Sequence, residues 1–227
     1  METRRIIEDV RKSGRNFLTE VESKELLALR GIPVVSCRVA RDEEETVRMA
    51  HECGFPVVLK VNSPYIIHKS EHKGVYLNLG GEQSVREAFR SIRRNCAAVD
   101  PEASVTVQPM IKKGVEVLIG AKADRQFGPV VAFGLGGVFT EVLKDIVFRM
   151  APVSAEEAEK MIHQIKGNRL LRGYRGYPAV DTLSLQKIIT GISQLAVEIE
   201  DIEEMDLNPV AVFPRGAMVL DARIKLS

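Results

Sequence analysis

The strongest constraint on this sequence is a short pattern that occurs twice near the N-terminus. In each copy a helical stretch is followed by glycine, an apolar residue, proline and two valines: Gly31-Ile32-Pro33-Val34-Val35 and Gly54-Phe55-Pro56-Val57-Val58. Glycine commonly ends a helix, proline prevents its continuation, and neighbouring β-branched residues favour a strand. Two such units in succession predict helices layered on a sheet, which is an α/β (α+β) fold.

The pattern changes after Gln108, where strands predominate before the helices return. Predicted strands lie at Val115–Ala121, Val130–Phe133 and Val138–Leu143, and two helices and two short strands complete the chain. No linker rich in glycine, serine or proline separates the two regions. We therefore predict a loosely attached N-terminal arm or helix at residues 1–16, a first lobe at residues 17–107 and a second lobe at residues 108–227, with a cleft between the lobes.

Charge and composition exclude several classes of protein. Among 227 residues, 32 lysines and arginines stand against 31 aspartates and glutamates, which gives a net charge of +1. A chain so balanced is not primarily an electrostatic binder of nucleic acid. Its apolar runs are too short to cross a bilayer, and its first residues carry no apolar signal segment. The three cysteines are widely spaced, so we predict a reduced, cytoplasmic protein without nucleic-acid or membrane partners.

Two basic side chains lie in and just after the strand predicted at Val57–Val61. Lys60 interrupts the apolar run and has two interpretations: a surface lysine on a one-sided strand, or a lysine that contacts phosphate inside a cleft. His68 lies in the polar loop that follows, just before Lys69 and Ser70. A loop histidine is most often simply solvated, but a neutral imidazole can also accept a phosphoryl group.

A glycine-rich loop, Gly134-Leu135-Gly136-Gly137, separates two predicted strands. Glycines allow backbone N–H groups to approach an anion closely, although a tight turn without a ligand would have the same composition. The loop lacks the Gly-Lys-Ser/Thr sequence of a P-loop, and no βαβ unit surrounds it as in a dinucleotide-binding fold. The glycines alone therefore leave both interpretations open.

Oxygen-bearing side chains near the C-terminus predict a cation site. Asp206 and Asn208 are two residues apart, so in an extended strand they project to the same side, and Asp221 follows on a later strand. Two carboxylates and an amide oxygen suit Mg²⁺ that also holds nucleotide phosphates. The alternative is that these residues only end a helix, form a turn and face solvent.

The lobe boundary offers candidate contacts to a nucleotide. The backbone around Gln108 and Met110 can present N–H and C=O groups to an adenine edge. Glu116, on the next predicted strand, can bind ribose hydroxyls, or it can be an exposed residue of an alternating strand.

In their order along the chain, these segments resemble the ATP-grasp fold and, more closely, the β subunit of ADP-forming acetyl-CoA synthetases. Succinyl-CoA synthetase β chains are more distantly similar. The resemblance covers about residue 17 to the C-terminus, and several motifs in fixed order make it specific. These motifs are Gly54-Phe55-Pro56-Val57-Val58-Leu59-Lys60, Ser63-Pro64-Tyr65-Ile66-Ile67-His68-Lys69-Ser70, Gln126-Phe127-Gly128-Pro129, the run from Gly134 to Asp145, Gly173-Tyr174-Arg175-Gly176 and Asp206-Leu207-Asn208-Pro209-Val210.

The resemblance implies the reaction acyl-CoA + ADP + phosphate ⇌ carboxylic acid + CoA + ATP. In that family a companion α subunit binds CoA and carries the first phosphohistidine, and a histidine of the β subunit passes the phosphoryl group to ADP. His68 matches this second histidine, and Lys60 matches the phosphate-binding lysine. The resemblance further implies ATP or ADP and Mg²⁺ as ligands, and an α2β2 assembly with the CoA-binding subunit.

The same resemblance assigns roles to the other candidate residues. Glu116 matches the ribose-binding carboxylate, while Asp206, Asn208 and Asp221 match the Mg²⁺ site. The remaining expected nucleotide contacts are, in chain order, Gln108, Met110, Gly136, Gly137 and Glu141.

Two positions depart from the family pattern, and two other functions stay open. Tyr65 stands where related chains usually have aspartate, and Lys73 stands where they usually have glycine; the histidine between them is retained.

The open alternatives are a carboxylate–amine ligase that uses the same nucleotide cleft without a histidine relay, and a non-catalytic nucleotide-binding chain. The sequence does not indicate the acyl substrate, because its contacts are expected mainly on the partner subunit.

Overall fold

The computed structural model describes residues 2–112, 114–136, 145–175 and 178–227, and these form two compact units. The smaller unit comprises Thr19–Val21 and Val35–Lys112. The larger unit comprises Met1–Leu18, Glu22–Val34 and Lys113–Ser227. Each unit has its own hydrophobic core, in which apolar side chains of its sheet pack against those of its helices.

The helices and strands of the described residues follow one another along the chain as α1 (Glu2–Lys12), α2 (Glu20–Leu29), β1 (Arg38–Ala40), α3 (Glu43–Cys53), β2 (Val57–Asn62), β3 (Val75–Leu79), α4 (Glu82–Cys96), β4 (Ser104–Pro109), β5 (Val115–Asp124), β6 (Gly128–Leu135), β7 (Ile146–Met150), α5 (Ala155–Gln164), α6 (Asn168–Leu171), α7 (Thr182–Glu198), β8 (Ile202–Val212), β9 (Ala217–Val219) and β10 (Ala222–Leu226). Within those same residues, no helix is both long and apolar enough to span a membrane.

The smaller unit is a four-stranded sheet in the order β1-β4-β2-β3, and all of its strand pairs are antiparallel. Strand β2 is internal, so its backbone groups are bonded on both sides. Its odd-numbered residues pack into the core with apolar side chains of α3 and α4: Val47, Ala50, Val57, Leu59, Val61, Val85, Phe89 and Ile92. Because side chains alternate along a strand, Val58 and Lys60 lie on the face opposite this core.

Helix α3 begins and ends as the sequence predicts. The Asp42 carboxylate accepts a hydrogen bond from the Glu45 backbone N–H at 2.8 Å, which satisfies a free donor of the first turn. At the other end Gly54 has φ +82° and donates to the Ala50 carbonyl. Glycine adopts this left-handed backbone without a steric cost, so the helix ends here and β2 can follow.

Helices α3 and α4 are joined by ion pairs between their facing side chains. Arg86 donates to carboxylates of both helices, Glu43 and Glu82, and Arg90 also donates to Glu43. Hydrogen bonds from Arg90 and then Arg86 lower the pKa of Glu43 to about 2. The carboxylate therefore stays ionised, and the ion pairs stay intact, well into the acidic range.

The larger unit is a six-stranded antiparallel sheet in the order β10-β8-β5-β6-β7, in which β9 also pairs with β8. Its core contains Val117, Ile119 and Ala121 of β5 together with Leu185, Ile188 and Ile192 of α7. These odd-numbered positions of β5 point to the helices. The even-numbered positions of β5 consequently lie on the other face of the sheet.

The N-terminal residues and the first repeat differ from the sequence-based division. Residues 2–12 form a helix, α1, which was one of the two expectations for this segment. Its Ile7 and Val10 are buried in the core of the larger unit, so the expectation of loose attachment is wrong. Ile32 of the first repeat belongs to the same core. The contacts therefore place residues 22–34 in the larger unit and the division near residue 112, whereas we had expected it at 107–108.

Only the second copy of the repeated pattern forms a regular strand. Val34 makes one isolated bridge to Val219, and regular pairing starts only at β1. Asp221, which the sequence predicts to lie on a strand, directly precedes β10, which begins at Ala222. The strand predicted at Val138–Leu143 lies outside the described residues.

Asp181 at the start of α7 gives a test of this fold. Its carboxylate accepts from the backbone N–H of Gly216 at 2.9 Å and of Ser184 at 3.0 Å, and both bonds lower its pKa, that from Gly216 most. We expect Asp181→Ala to lower the free energy of unfolding by about 1–2 kcal/mol, measured by urea denaturation at pH 7. Asp181→Asn keeps an acceptor oxygen, so it should lower the free energy of unfolding by less.

The dependence on pH provides the control for that experiment. Because the folded-state pKa of Asp181 is depressed, the contribution of its charge is complete above the ordinary aspartate pKa of about 4 and is lost as the pH falls below it. The difference between wild type and Asp181→Asn should therefore shrink in acid. Equal unfolding midpoints for Asp181→Ala and wild type at pH 7 would show that the cap does not stabilise α7.

Candidate functional site

Lys60 is buried rather than exposed on its strand. Only 5% of the residue is accessible, although it lies on the face of the sheet that α3 and α4 do not cover. Its Nζ lies 2.8 Å from Oε1 of Glu20, the first residue of α2, whose side chain is fully buried. The interpretation of Lys60 as a surface lysine is therefore wrong, since its charge is held inside the protein by a carboxylate.

Gln108 lies on the same face as Lys60. The β2–β4 register pairs Val58 with Gln108 and Lys60 with Thr106, and directly opposite residues of an antiparallel pair project to the same side. Gln108 is 4% exposed. Just beyond the strand, Met110 donates its backbone N–H to the Pro56 carbonyl. The structure thus brings two of the predicted site residues, Lys60 and Gln108, to one buried face.

The loop between β2 and β3 is anchored at both ends and exposes His68. Ile66 is buried in the core of the smaller unit, and the Gly74 carbonyl accepts the Val61 N–H at 2.7 Å. A side-chain carbon added to Gly74 would lie 2.6 Å from the Val61 side chain, so only glycine fits there. His68 itself has 63% of its side chain exposed, with the Glu71 carboxylate 4.0 Å from Nδ1. The imidazole is thus accessible to a reactant while the loop around it is fixed.

Lys69, the neighbour of His68, contacts the same carboxylate as Lys60. Its Nζ lies 3.0 Å from Oε2 of Glu20, while Lys60 contacts Oε1. Its side chain is 16% exposed. One buried carboxylate therefore joins the lysine of the strand to the lysine of the histidine loop.

The three predicted metal ligands lie on neighbouring strands of the larger unit. Asp206 and Asn208 are on β8, and Asp221 directly precedes β10. The Leu220 N–H donates to the Pro209 carbonyl and Ala222 pairs with Leu207, which places Asp221 opposite Asn208. The structure therefore brings these ligands together at one edge of the β8–β10 pair.

The oxygen atoms of these ligands fit a hard divalent cation. Two carboxylates and one amide suit Mg²⁺, which usually completes its shell with water and phosphate oxygens rather than with protein alone. Across the described part of the chain there is no group of three or more His, Cys, Asp or Glu side chains arranged to hold a metal. Asn208 is not one of these four residue types, and it would contribute an amide oxygen. The donors fit Mg²⁺, and the predicted site remains a prediction.

Arg223 is a neighbour of this site that the sequence did not reveal. It pairs with Asp206 across the β8–β10 register, with its Nη2 3.5 Å from the Asp206 carboxylate and 3.0 Å from that of Glu204. A guanidinium at this distance offsets the repulsion between the acidic side chains. The Asp206 carboxylate therefore forms an ion pair with the neighbouring strand.

A row of side chains crosses the open face of the larger sheet. The strand registers align Arg223, Asp206, Gly120, Ala132 and Phe148, one from each of five adjacent strands. All of these except Arg223 line a groove of about 400 Å³, in which Gly120 and Ala132 are the small residues. Phe148, with 59% of its surface exposed, forms the apolar end, and Asp206 forms the polar end. This groove can receive a ligand or chain segment with both kinds of surface.

Gly136 and Glu116 are joined through the backbone. The Gly136 N–H donates to the Glu116 carbonyl at 2.8 Å, so it is used inside the protein and not offered to an anion. A side-chain carbon at Gly136 would lie 3.0 Å from backbone atoms of both Glu116 and Val117. Close packing therefore explains this glycine, and the Glu116 side chain is exposed beside it. Gly137 and Glu141 lie outside the described residues.

A family model described as an ATP-grasp domain matches residues 9–226. Because this match covers nearly the whole chain, the chain belongs to the ATP-grasp family. The two antiparallel sheets, each with helices on one face, agree with that assignment.

Comparison with individual relatives assigns the chain to a narrower group within this family. The chain is 45% identical to the β subunit of the ADP-forming acetate–CoA ligase I of Pyrococcus furiosus, covering 98% of this chain and 97% of the relative. It is 40% identical to an ADP-forming 4-hydroxybutyrate–CoA ligase of Nitrosopumilus maritimus, of which it spans 33%. Within the ATP-grasp family, the chain is a member of the ADP-forming acetate–CoA ligase β subunits.

Solved structures agree in fold over the full length. An acetyl-coenzyme A synthetase 1 of Ca. Korarchaeum cryptofilum, in complex with coenzyme A and Ca-AMPCP, has a TM-score of 0.95 and 44% identity, covering 99% of this chain and 100% of that chain. A structure of the same synthetase with coenzyme A and Mg-AMPPCP has a TM-score of 0.87, 43% identity and the same coverage. Its phosphohistidine segment is described as pointing towards the nucleotide binding site.

Gly136 provides a test of the packing at this site. Because an added methyl group would press on the backbone of β5, we expect Gly136→Ala to lower the free energy of unfolding by about 1–3 kcal/mol. Gly80→Ala is the matched control, since nothing lies within 4 Å of the position that its methyl group would take. Thermal or urea unfolding of the two variants measures the difference, and equal stabilities would contradict the close approach of Gly136 to β5.

Proposed function

We propose that this chain is the nucleotide-binding β subunit of an ADP-forming acyl-CoA ligase, in which His68 carries a phosphoryl group to ADP. The overall reaction is acyl-CoA + ADP + phosphate ⇌ carboxylic acid + CoA + ATP. The observation that carries the proposal is the anchored loop that exposes His68 directly after the strand of the buried Lys60. A fixed, accessible imidazole beside a fixed positive charge suits transfer of an anionic group.

The phosphoryl group would arrive on a histidine of a partner subunit. In the first transfer the nitrogen–phosphorus bond on the partner breaks and a new one forms to the imidazole of His68. In the second transfer that bond breaks, a bond forms to the terminal oxygen of ADP, and His68 returns to its neutral state. Transfers of this kind depend mainly on positioning and charge neutralisation, which Lys60 can supply to the phosphate oxygens.

Each unit carries candidate nucleotide contacts of its own. In the smaller unit, the candidates for the base are the buried Gln108 and the backbone carbonyl of Met110, since the Met110 N–H donates to Pro56. In the larger unit, the exposed Glu116 carboxylate is a candidate for the ribose hydroxyls. Gly137 and Glu141 remain candidate nucleotide contacts from the sequence alone.

Mg²⁺ would be held by Asp206, Asn208 and Asp221. When bound, it would neutralise the charge of the nucleotide phosphates. Arg223 would keep the Asp206 carboxylate oriented, since its guanidinium lies 3.5 Å away.

The partner would be a CoA-binding α subunit, in an α2β2 assembly. The Pyrococcus relative is named a subunit beta, which supports a companion chain. This chain spans only 33% of the Nitrosopumilus relative, which supports the idea that the remaining functions lie on further sequence. The names of these relatives specify different acids, acetate and 4-hydroxybutyrate. We therefore propose that the acyl substrate is selected mainly outside this chain.

Substitution of His68 tests the relay. In the complex with its CoA-binding partner, His68→Asn should abolish labelling of this chain by phosphate and lower ATP synthesis by a factor on the order of 10³, because the acceptor nitrogen is lost. His72→Asn, in the same loop, is the control and should keep both. Full ATP synthesis by His68→Asn would rule out the relay and favour direct transfer, as in a carboxylate–amine ligase.

Substitution of Asn208 tests the metal site. Asn208 is exposed on β8, so Asn208→Ala should leave the fold unchanged while raising the Mg²⁺ concentration needed for half-maximal ADP binding by roughly tenfold or more. Titration calorimetry of ADP at fixed Mg²⁺ concentrations measures this. Glu203→Gln removes a charge from the same strand, where Glu203 pairs with Lys225, and is the matched control. Identical Mg²⁺ requirements for Asn208→Ala and wild type would exclude Asn208 as a ligand.

A further inference from the structure

The buried carboxylate of Glu20 contacts two lysines that serve different parts of the site. Oε1 lies 2.8 Å from Lys60 Nζ and Oε2 lies 3.0 Å from Lys69 Nζ. The Glu20 side chain has no exposed surface, and the side chains of Lys60 and Lys69 are only 6% and 16% exposed. With both oxygens engaged in a dry environment, the contacts are short and directional rather than loose surface ion pairs.

The two lysines are attached to different elements. Lys60 belongs to the internal strand β2, whose backbone is bonded on both sides. Lys69 directly follows His68 in the loop, and its carbonyl accepts the Gly74 N–H at 2.8 Å. The carboxylate therefore connects the loop, at the residue next to the histidine, to an internal strand of the smaller unit.

We propose that Glu20 is a positioning residue for phosphoryl transfer, which fixes the His68 loop through Lys69 while it holds the Lys60 ammonium in place. This inference extends the proposed function to a residue that touches neither nucleotide nor histidine. Glu20 sets the distance between the phosphoryl carrier and the charge that meets the phosphate. A small displacement between such groups costs a large part of the transfer rate, because the reacting atoms must be aligned.

The backbone amides of the loop report this positioning without reference to catalysis. The N–H groups of Glu71, Lys73 and Gly74 all donate to carbonyls of the loop. In the full-length chain, we expect Glu20→Gln to speed hydrogen–deuterium exchange at these amides by about tenfold or more, since a bond between charged groups is lost. Lys69→Met should do the same, and it leaves the Lys60–Glu20 pair intact if Glu20→Gln does not fold.

The kinetic measurement uses the complex with the CoA-binding subunit and Mg-ADP. We expect Lys69→Met to lower kcat by about tenfold with little change in KM for ADP, because the loop and not the lysine of the strand is disturbed. Glu20→Gln also weakens the contact with Lys60, so it should lower kcat at least as much. Lys73→Met removes an exposed positive charge from the same loop and is the control, with wild-type exchange and kcat. The double variant Glu20→Gln/Lys69→Met should be no worse than Glu20→Gln alone, because Glu20→Gln already removes the ion pair with Lys69.

Unchanged hydrogen–deuterium exchange of the loop amides in both single variants would overturn the proposal. Faster exchange of these amides combined with a wild-type kcat would overturn it as well. A change in KM for ADP alone would also overturn it, because Glu20 would then act on the nucleotide. The outcome is separate from that of the proposed function. Loop exchange does not require phosphorylation, whereas the relay is tested by His68→Asn.

Discussion

A buried charge in an internal strand is the constraint on which the smaller unit depends. Lys60 lies in β2, between two bonded neighbours, with almost no access to water. An ammonium ion in such a place is tolerated only with a carboxylate in contact, and removal of one partner of a buried pair costs about 3–5 kcal/mol. Glu20 meets this requirement at 2.8 Å. The position of this ammonium ion is consequently fixed by contacts within the chain itself.

The repeated glycine–proline pattern shows which part of the fold local sequence determines. The ends of the helices followed the pattern, and the second copy led directly into β2. The first copy did not form a regular strand, because two valines become a strand only where another strand is available to pair with them. Similarly, α1 looked like a polar arm, since only a few of its side chains, among them Ile7 and Val10, reach the core. These outcomes depend on contacts distant in sequence, which composition does not reveal.

In the candidate site, too, some residues are placed by local sequence rules and others by contacts distant in sequence. Asp206 and Asn208 share a side of β8 because alternation along a strand is a local rule. Their contact with Arg223 depends on the pairing of β8 with β10. Glu20 gave no signal at all: it lies 40 residues from Lys60, and an acidic residue in the first turn of a helix is usually explained by the helix dipole alone. Sequence motifs thus indicated candidate reactive groups but not the side chains that contact them.

The anchoring of the His68 loop limits how this segment can vary. Ile66 is fixed in the core before the histidine, and Gly74 is pressed against Val61 after it. Tyr65 and Lys73, the two positions that depart from the family pattern, are both exposed, so their side chains can change without moving either anchor. An insertion or deletion between the anchors would instead shift the histidine itself. The number of residues from Ile66 to Gly74 is therefore under a stricter constraint than their identity, and the loop acts as a tether of fixed length.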